Sequence, residues 1–215
     1  MKLVIFILFL KIGLVLNYEN LLVHFSIISL IVGCFMSINQ TEIKRLLAYS
    51  SIVHVGFLLM GDAHSSLIYL LTYLTGSLLL FAALLQVRIA GQELVYLNDL
   101  QYVRNSSSGN TAALVIALSS SAGLPPFAGF YGKFAVWSSL LEDIYLTNDY
   151  ASYSCLFISL SVTLVTIYYY MRVIAYLFIC SDSAQKSATV FITSLKDFYD
   201  VFFSLIGVLS LFVLF

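Results

Sequence analysis

The chain has 215 residues, of which 61% are hydrophobic, 15% aromatic and 10% charged, and its mean hydropathy is +0.99. No water-soluble domain is built from that mixture, which leaves an integral membrane protein, and the helix-length apolar runs along the chain make it all-α and polytopic. The net charge of −1 and the lack of any basic cluster argue against a nucleic-acid partner, and Cys34, Cys155 and Cys180 lie too far apart for a disulfide framework, an iron–sulfur site or a zinc site.

Apolar runs of about 17–25 residues mark spans of a bilayer. Seven are read in chain order: Leu3 to Leu16, Leu21 to Ile38, Ile43 to Gly61, Ser66 to Val87, Thr111 to Leu141, Tyr153 to Ile179 and Val201 to Phe215. The first begins after Met1-Lys2 and resembles a secretory leader, but Lys11 interrupts it and no small-residue cleavage site follows, so it is read as retained. The third opens on Asn39-Gln-Thr-Glu-Ile-Lys-Arg45, where Thr41 is placed to cap the helix and Glu42 sits in its first turn. Ten residues beyond Lys44, roughly 15 Å deeper at 1.5 Å per residue, stands His54, with Ser50 and Ser51 at i−4 and i−3 on its own side. Hydroxyls beside an imidazole suit a proton relay, and a hydrogen-bonded packing role for His54 is the competing reading. His24 and His64 read as structural or interfacial.

The fifth run is too long for one straight helix. Its interior holds Gly123 and the chain's two prolines, Pro125 and Pro126, so a discontinuous helix broken at Gly123–Pro126 is expected. Because neither proline has an N–H, the carbonyls of Ser121 and Ala122 lose their helical donors and need water, a hydroxyl or another helix; Ser119, Ser120 and Ser121 offer hydroxyls nearby. The polar connections Arg88 to Asn110 and Ser181 to Lys196 read as loops, and the chain as a single transmembrane domain over residues 1–215.

Threading the connections alternately places Lys2, Lys44, Arg45, Arg88, Arg104, Lys186 and Lys196 on one face and Glu19, Asp62, Glu142, Asp143 and Asp149 on the other. The Lys/Arg bias then sets the N-terminus on the positive, cytoplasm-like or matrix-like side and Phe215 opposite. Three cations remain inside spans: Lys11, Lys133 and Arg172. Arg172 follows Tyr168-Tyr169-Tyr170 near a helix end, where its stem can reach the headgroups past an aromatic belt. Lys11 and Lys133 lie deeper, where a charge costs roughly 2.5–3.5 kcal/mol on insertion scales. Snorkelling from a short first span is the bland reading of Lys11. For Lys133, water at the break would serve the orphaned carbonyls and give the ammonium a partner for proton exchange.

Two segments carry a resemblance. Asn39-Gln-Thr-Glu-Ile-Lys-Arg-Leu-Leu-Ala-Tyr-Ser-Ser-Ile-Val-His-Val-Gly56 and Ala122-Gly-Leu-Pro-Pro-Phe-Ala-Gly-Phe-Tyr-Gly-Lys-Phe134 resemble the subunit 2 family of respiratory complex I, the NADH:ubiquinone oxidoreductase, within the antiporter-like superfamily of proton-pumping subunits. The likeness covers nearly the whole chain but only the family's C-terminal half. It implies half of an inverted-repeat subunit in a mitochondrial inner membrane, multi-pass, with the N-terminus on the matrix side. It also implies a proton path through Lys11, matching the central lysine, and Lys133, matching the lysine of the second broken helix, with His54 in a family segment. The family's proline after the central lysine is absent, since Ile12-Gly13-Leu14 follows Lys11. By the same resemblance this chain binds no cofactor: NADH, flavin, iron–sulfur clusters and ubiquinone belong elsewhere in the complex. The partners implied are other membrane-arm subunits, a neighbouring antiporter-like subunit, lipids, and a separate chain supplying the N-terminal helices with the family's glutamate and first broken-helix lysine. Two rivals use the same scaffold: a monovalent cation/proton antiporter subunit, and a non-pumping structural subunit whose charges are relics in a dry cavity.

Overall fold

A computed structural model describes residues 19–86, 88–89, 92–93, 95–102, 108–147 and 150–178. The expected spans Leu3 to Leu16 and Val201 to Phe215, and with them Lys11, lie outside the described residues.

Within them the protein is built from six α-helices: α1 (Glu19–Ile38), α2 (Ile43–Met60), α3 (Ala63–Gln86), α4 (Ser108–Ala122), α5 (Ala128–Thr147) and α6 (Tyr150–Phe178). Among them, Ile43–Met60, Ala63–Leu85 and Tyr150–Phe178 are long and apolar enough to cross a bilayer, while Leu22–Ile38 and Thr111–Ala122 are shorter apolar stretches. Large side chains such as Phe35, Leu78, Phe157 and Leu164 point outward. In a membrane those faces meet acyl chains, so the interior is held by close packing and internal hydrogen bonds more than by expulsion of water.

Glycines set that packing. A Cβ on Gly33 of α1 would stand 2.8 Å from Val53 Cγ2 of α2, and one on Gly56 of α2 would stand 2.6 Å from Ser29 Oγ and 2.8 Å from Leu30 Cγ of α1. The two helices therefore approach backbone to backbone where each has no side chain. Several buried hydroxyls are satisfied within their own helices: Ser37 donates to the Cys34 carbonyl at 2.8 Å and Ser159 to that of Leu156 at 2.9 Å.

Two apolar clusters fill the interior. One gathers Ile43, Leu46, Leu80, Leu114, Tyr170 and Leu177, and the other Leu30, Val53, Phe57, Tyr69, Val136 and Cys155.

The connection after α3 is more than a polar loop. It forms a short hairpin, β1 (Arg88–Ile89) paired antiparallel with β2 (Gln92–Glu93), then a 3-10 turn over Leu97–Tyr102. Leu97 and Leu100 are buried in the first cluster, because the turn offers an apolar side to the helices beneath it. Its backbone also pairs with the start of α2: Ile43 N–H donates to the Val95 carbonyl at 3.0 Å, and Leu97 N–H to that of Thr41 at 2.9 Å. The expectation that Thr41 caps α2 is thereby corrected. The cap residue is Glu42, whose carboxylate pairs with Arg45 at 2.9 Å, and the first amide of the helix is served by a backbone partner from the 3-10 segment.

Arg172 does not simply reach outward. Its Nη2 donates to the Gln40 carbonyl at 3.0 Å, which ties the end of α6 to the α1–α2 turn. Arg172, Lys44, Arg45 and the hairpin thus gather at one end of the bundle.

Candidate functional site

α4 stops where the sequence takes away its donors. Gly123 adopts φ +82°, its N–H donates to the Ser120 carbonyl at 3.0 Å, and Leu124 N–H reaches back to that of Ser119 at 3.1 Å. These two bonds form a Schellman motif, which only a residue tolerant of the left-handed region closes without strain. Leu124–Phe127, including a cis Pro125-Pro126 bond, then lead into α5.

The serine hydroxyls do not cap this terminus. Ser119 Oγ donates to the Val115 carbonyl at 2.6 Å and Ser121 Oγ to that of Leu118 at 2.9 Å, both backwards along α4. Lys133 does the capping. Its Nζ donates to the Ala122 carbonyl at 2.7 Å, the group that Pro126 leaves without a helical donor. The negative end of the α4 dipole adds to the attraction.

Lys133 is 2% exposed. A second, longer bond runs from Nζ to Thr166 Oγ1 of α6 at 3.4 Å, and the ammonium stands 5.3 Å from the centroid of the Phe57 ring of α2. None of these partners is a carboxylate. Ala122 belongs to one apolar cluster and Phe57 to the other, so the lysine sits where they meet. Gly123 makes room for it, since a Cβ there would lie 2.8 Å from Lys133 Cδ and 3.0 Å from Nζ. Gly129 brings α5 onto α4: its N–H donates to Ser120 Oγ at 3.3 Å, and a Cβ would collide with the Ser120 carbonyl.

On its other side Lys133 lines a cavity of about 340 Å3, walled by Lys44 and His54 of α2, Tyr69 and Tyr73 of α3 and Ser120 of α4. It extends from the buried lysine and imidazole to the exposed Lys44 and Phe81. A space of that size has room for several waters, and the hydroxyls, imidazole and ammonium set in its largely apolar wall are the groups that would hold them.

His54 is buried, and its Nδ1 lies 2.7 Å from Tyr69 Oη, with the imidazole also packed at a tilt of 33° against Tyr73, ring centroids 4.6 Å apart. Ser50 and Ser51, the sequence candidates for its partners, instead donate to the Leu47 and Ala48 carbonyls at 2.9 and 2.7 Å, although both line the cavity. Lys133 and His54 are thus brought to one cavity. His24 and His64 are exposed at the starts of α1 and α3. Sequence reasoning missed Tyr69 and Thr166. The available signal was spacing: Tyr69, Thr72 and Gly76 stripe one face of α3, and Ser159, Thr163 and Thr166 one face of α6.

A bundle of apolar helices whose interior holds a lysine at a helix stop, beside a cavity with an imidazole and hydroxyls in a largely apolar wall, defines the class, an antiporter-like membrane protein. Residues 1–154 match the family described as NADH:quinone oxidoreductase/Mrp antiporter, transmembrane, and the chain belongs to that family. It is 34% identical over 169 residues to NADH-quinone oxidoreductase subunit N of Beijerinckia indica, a match covering 75% of this chain and 34% of that protein. Among solved structures it is similar to a chain of respiratory complex I from Thermus thermophilus with bound aureothin, at TM-score 0.72 and 28% identity over 89% of this chain and 42% of the other. The fold is also shared with a chain of the Mrp complex from Dietzia sp., at TM-score 0.69 and 16% identity, covering 90% of this chain and 43% of that one. The chain spans about a third of the length of the curated relatives it matches.

Proposed function

We propose that this chain is a proton-conducting subunit of the complex I membrane arm, equivalent to the C-terminal part of subunit N or subunit 2, and that α4 and α5 are the halves of one discontinuous transmembrane helix. The observation that carries the reading is the placement of Lys133, buried at the break, bonded to the Ala122 carbonyl and opening onto the cavity that extends to Lys44. An exposed mouth at Lys44, a hydrogen-bonded His54–Tyr69 pair midway and an ammonium at the inner end form the proposed sequence of proton stations. Protonated Lys133 is held by the carbonyl at the α4 terminus. Neutral Lys133 gives up part of that attraction, so a change of charge nearby can drive the exchange.

Lys11 is the proposed central station, passing protons to Lys133 in response to quinone chemistry elsewhere in the complex. The proposed setting is the mitochondrial inner membrane with the basic face on the matrix side, in keeping with the Lys/Arg distribution. Replacing Lys133 with Met tests the reading. Protons pumped per NADH oxidised should fall in a complex that still assembles, whereas unchanged pumping by an assembled complex contradicts it.

The fold shared with the Mrp complex favours one second reading, a cation/proton antiporter subunit. Sodium-dependent proton movement in vesicles carrying the chain, without NADH oxidation, distinguishes it.

A further inference from the structure

Lys133 faces two different environments, and only one of them belongs to the cavity. On the α6 side stand Ser159, Thr163 and Thr166, buried and spaced i, i+4 and i+7 on one helix face. Such a row invites reading as a proton wire, but its hydrogen bonds say otherwise. Ser159 donates to the Leu156 carbonyl at 2.9 Å, Thr163 to that of Leu160 at 2.6 Å and Thr166 to that of Thr163 at 2.8 Å. Each hydroxyl proton is committed to its own helix, which leaves only lone pairs pointing outward. Ser159 uses one to accept from Trp137 Nε1 of α5 at 3.2 Å. Thr166 uses one to accept from Lys133 Nζ.

An ammonium has three donors and no acceptor. The Ala122 carbonyl takes one donor and Thr166 Oγ1 a second, and the Phe57 ring lies on the same group. One N–H is left without a hydrogen-bond acceptor among the described residues, on a side chain that also lines the cavity. We infer that Thr166 is a positioning residue for Lys133: as a hydroxyl fixed in the accepting role, it orients the ammonium so that a single N–H is offered to the cavity and the other two are held on protein. A threonine hydroxyl free to rotate could donate to a neutral amine, and the Thr163 carbonyl prevents this. The feature therefore fixes the ammonium in one orientation, since bonds from a charged donor are the stronger ones.

This inference rests on the proposed role of Lys133, and the test separates the two. In the assembled complex, Thr166→Val keeps the side-chain shape and removes the acceptor, while Thr166→Ser retains the acceptor. Proton pumping per NADH oxidised is measured for both, for Lys133→Met, and for Lys133→Met combined with Thr166→Val, with assembly followed on native gels. The expected result is a loss of about threefold or more in pumping for Thr166→Val, near-normal pumping for Thr166→Ser, and no further loss when Thr166→Val is added to Lys133→Met. If Lys133→Met abolishes pumping but Thr166→Val matches the unmodified complex, the positioning role is wrong and the function stands. If Lys133→Met leaves pumping unchanged, the function itself fails. Additive losses, or a Thr166→Ser as poor as Thr166→Val, assign Thr166 to packing alone and overturn the inference.

Discussion

Gly123→Ala is the perturbation that probes the break most selectively, because the glycine does two jobs with one missing atom. Its φ of +82° closes the Schellman motif, and forcing a Cβ into the left-handed region costs about 1–2 kcal/mol. The new methyl would also stand 2.8 Å from Lys133 Cδ, 3.1 Å from Cε and 3.0 Å from Nζ, well inside the roughly 3.5–4.0 Å at which carbon atoms rest. Backbone cannot yield there, but the lysine stem can, and in yielding it gives up the 2.7 Å bond to the Ala122 carbonyl. A hydrogen bond from a charged group is worth about 1.5–3 kcal/mol net, so the disturbance at the lysine is as large as the one in the backbone. The expected outcome is a complex that still assembles at reduced yield while pumping falls disproportionately to its amount. Gly76→Ala is the matched control: it lies in the wall of the same cavity, and its Cβ would meet only Ser120 Oγ at 3.7 Å, an ordinary contact. Native gels and reconstituted proton pumping, normalised to assembled complex, provide the comparison. If Gly123→Ala and Gly76→Ala pump alike per assembled complex, the coupling between the break and Lys133 is refuted.

Other consequences follow from single contacts. Tyr69→Phe removes the hydroxyl 2.7 Å from His54 Nδ1 with little change in packing, and it should slow pumping several-fold while shifting the melting of the complex by the equivalent of about 1–3 kcal/mol; a silent variant in pumping assays removes the pair from the proton path. Gly129→Ala drives a methyl into the Ser120 carbonyl and separates α4 from α5, so assembly detected on native gels should be nearly lost, and a normally assembled variant would show that the two helices are not in this contact. Arg172→Gln releases the Gln40 carbonyl and should lower thermal stability by about 1 kcal/mol without changing pumping per complex, which thermal-shift and pumping measurements on one preparation check together.

Much of this was legible from composition and punctuation. Gly123, Pro125 and Pro126 marked where a helix must stop, since each removes a donor or admits a left-handed turn, and Lys133 stood out because a cation in an apolar run is costly. The identity of the lysine's partner was not legible. Three serines before the break looked like caps, yet Ser119 and Ser121 bond back along α4, Ser120 accepts from Gly129 N–H, and the lysine takes the carbonyl, because it returns from the next helix at the right height. Tyr69 was hidden for a related reason. It meets His54 only through the packing of α3 on α2, and among 15 tyrosines it carried no local mark. Thr41 failed as a cap because its competitor, the Val95 carbonyl, comes from more than fifty residues away. Local rules fix where helices start and stop; which polar groups then meet depends on packing that close glycine contacts decide.

The proposed proton path requires Lys133 to be wet on its cavity side and bonded on the other. A high-resolution cryo-EM map of the assembled complex tests it most directly. The expected map shows ordered water within hydrogen-bond reach of Lys133 Nζ, continuing past His54 towards Lys44, with the ammonium still on the Ala122 carbonyl. A cavity filled by an acyl chain or a neighbouring side chain, with Lys133 turned towards lipid, would contradict it.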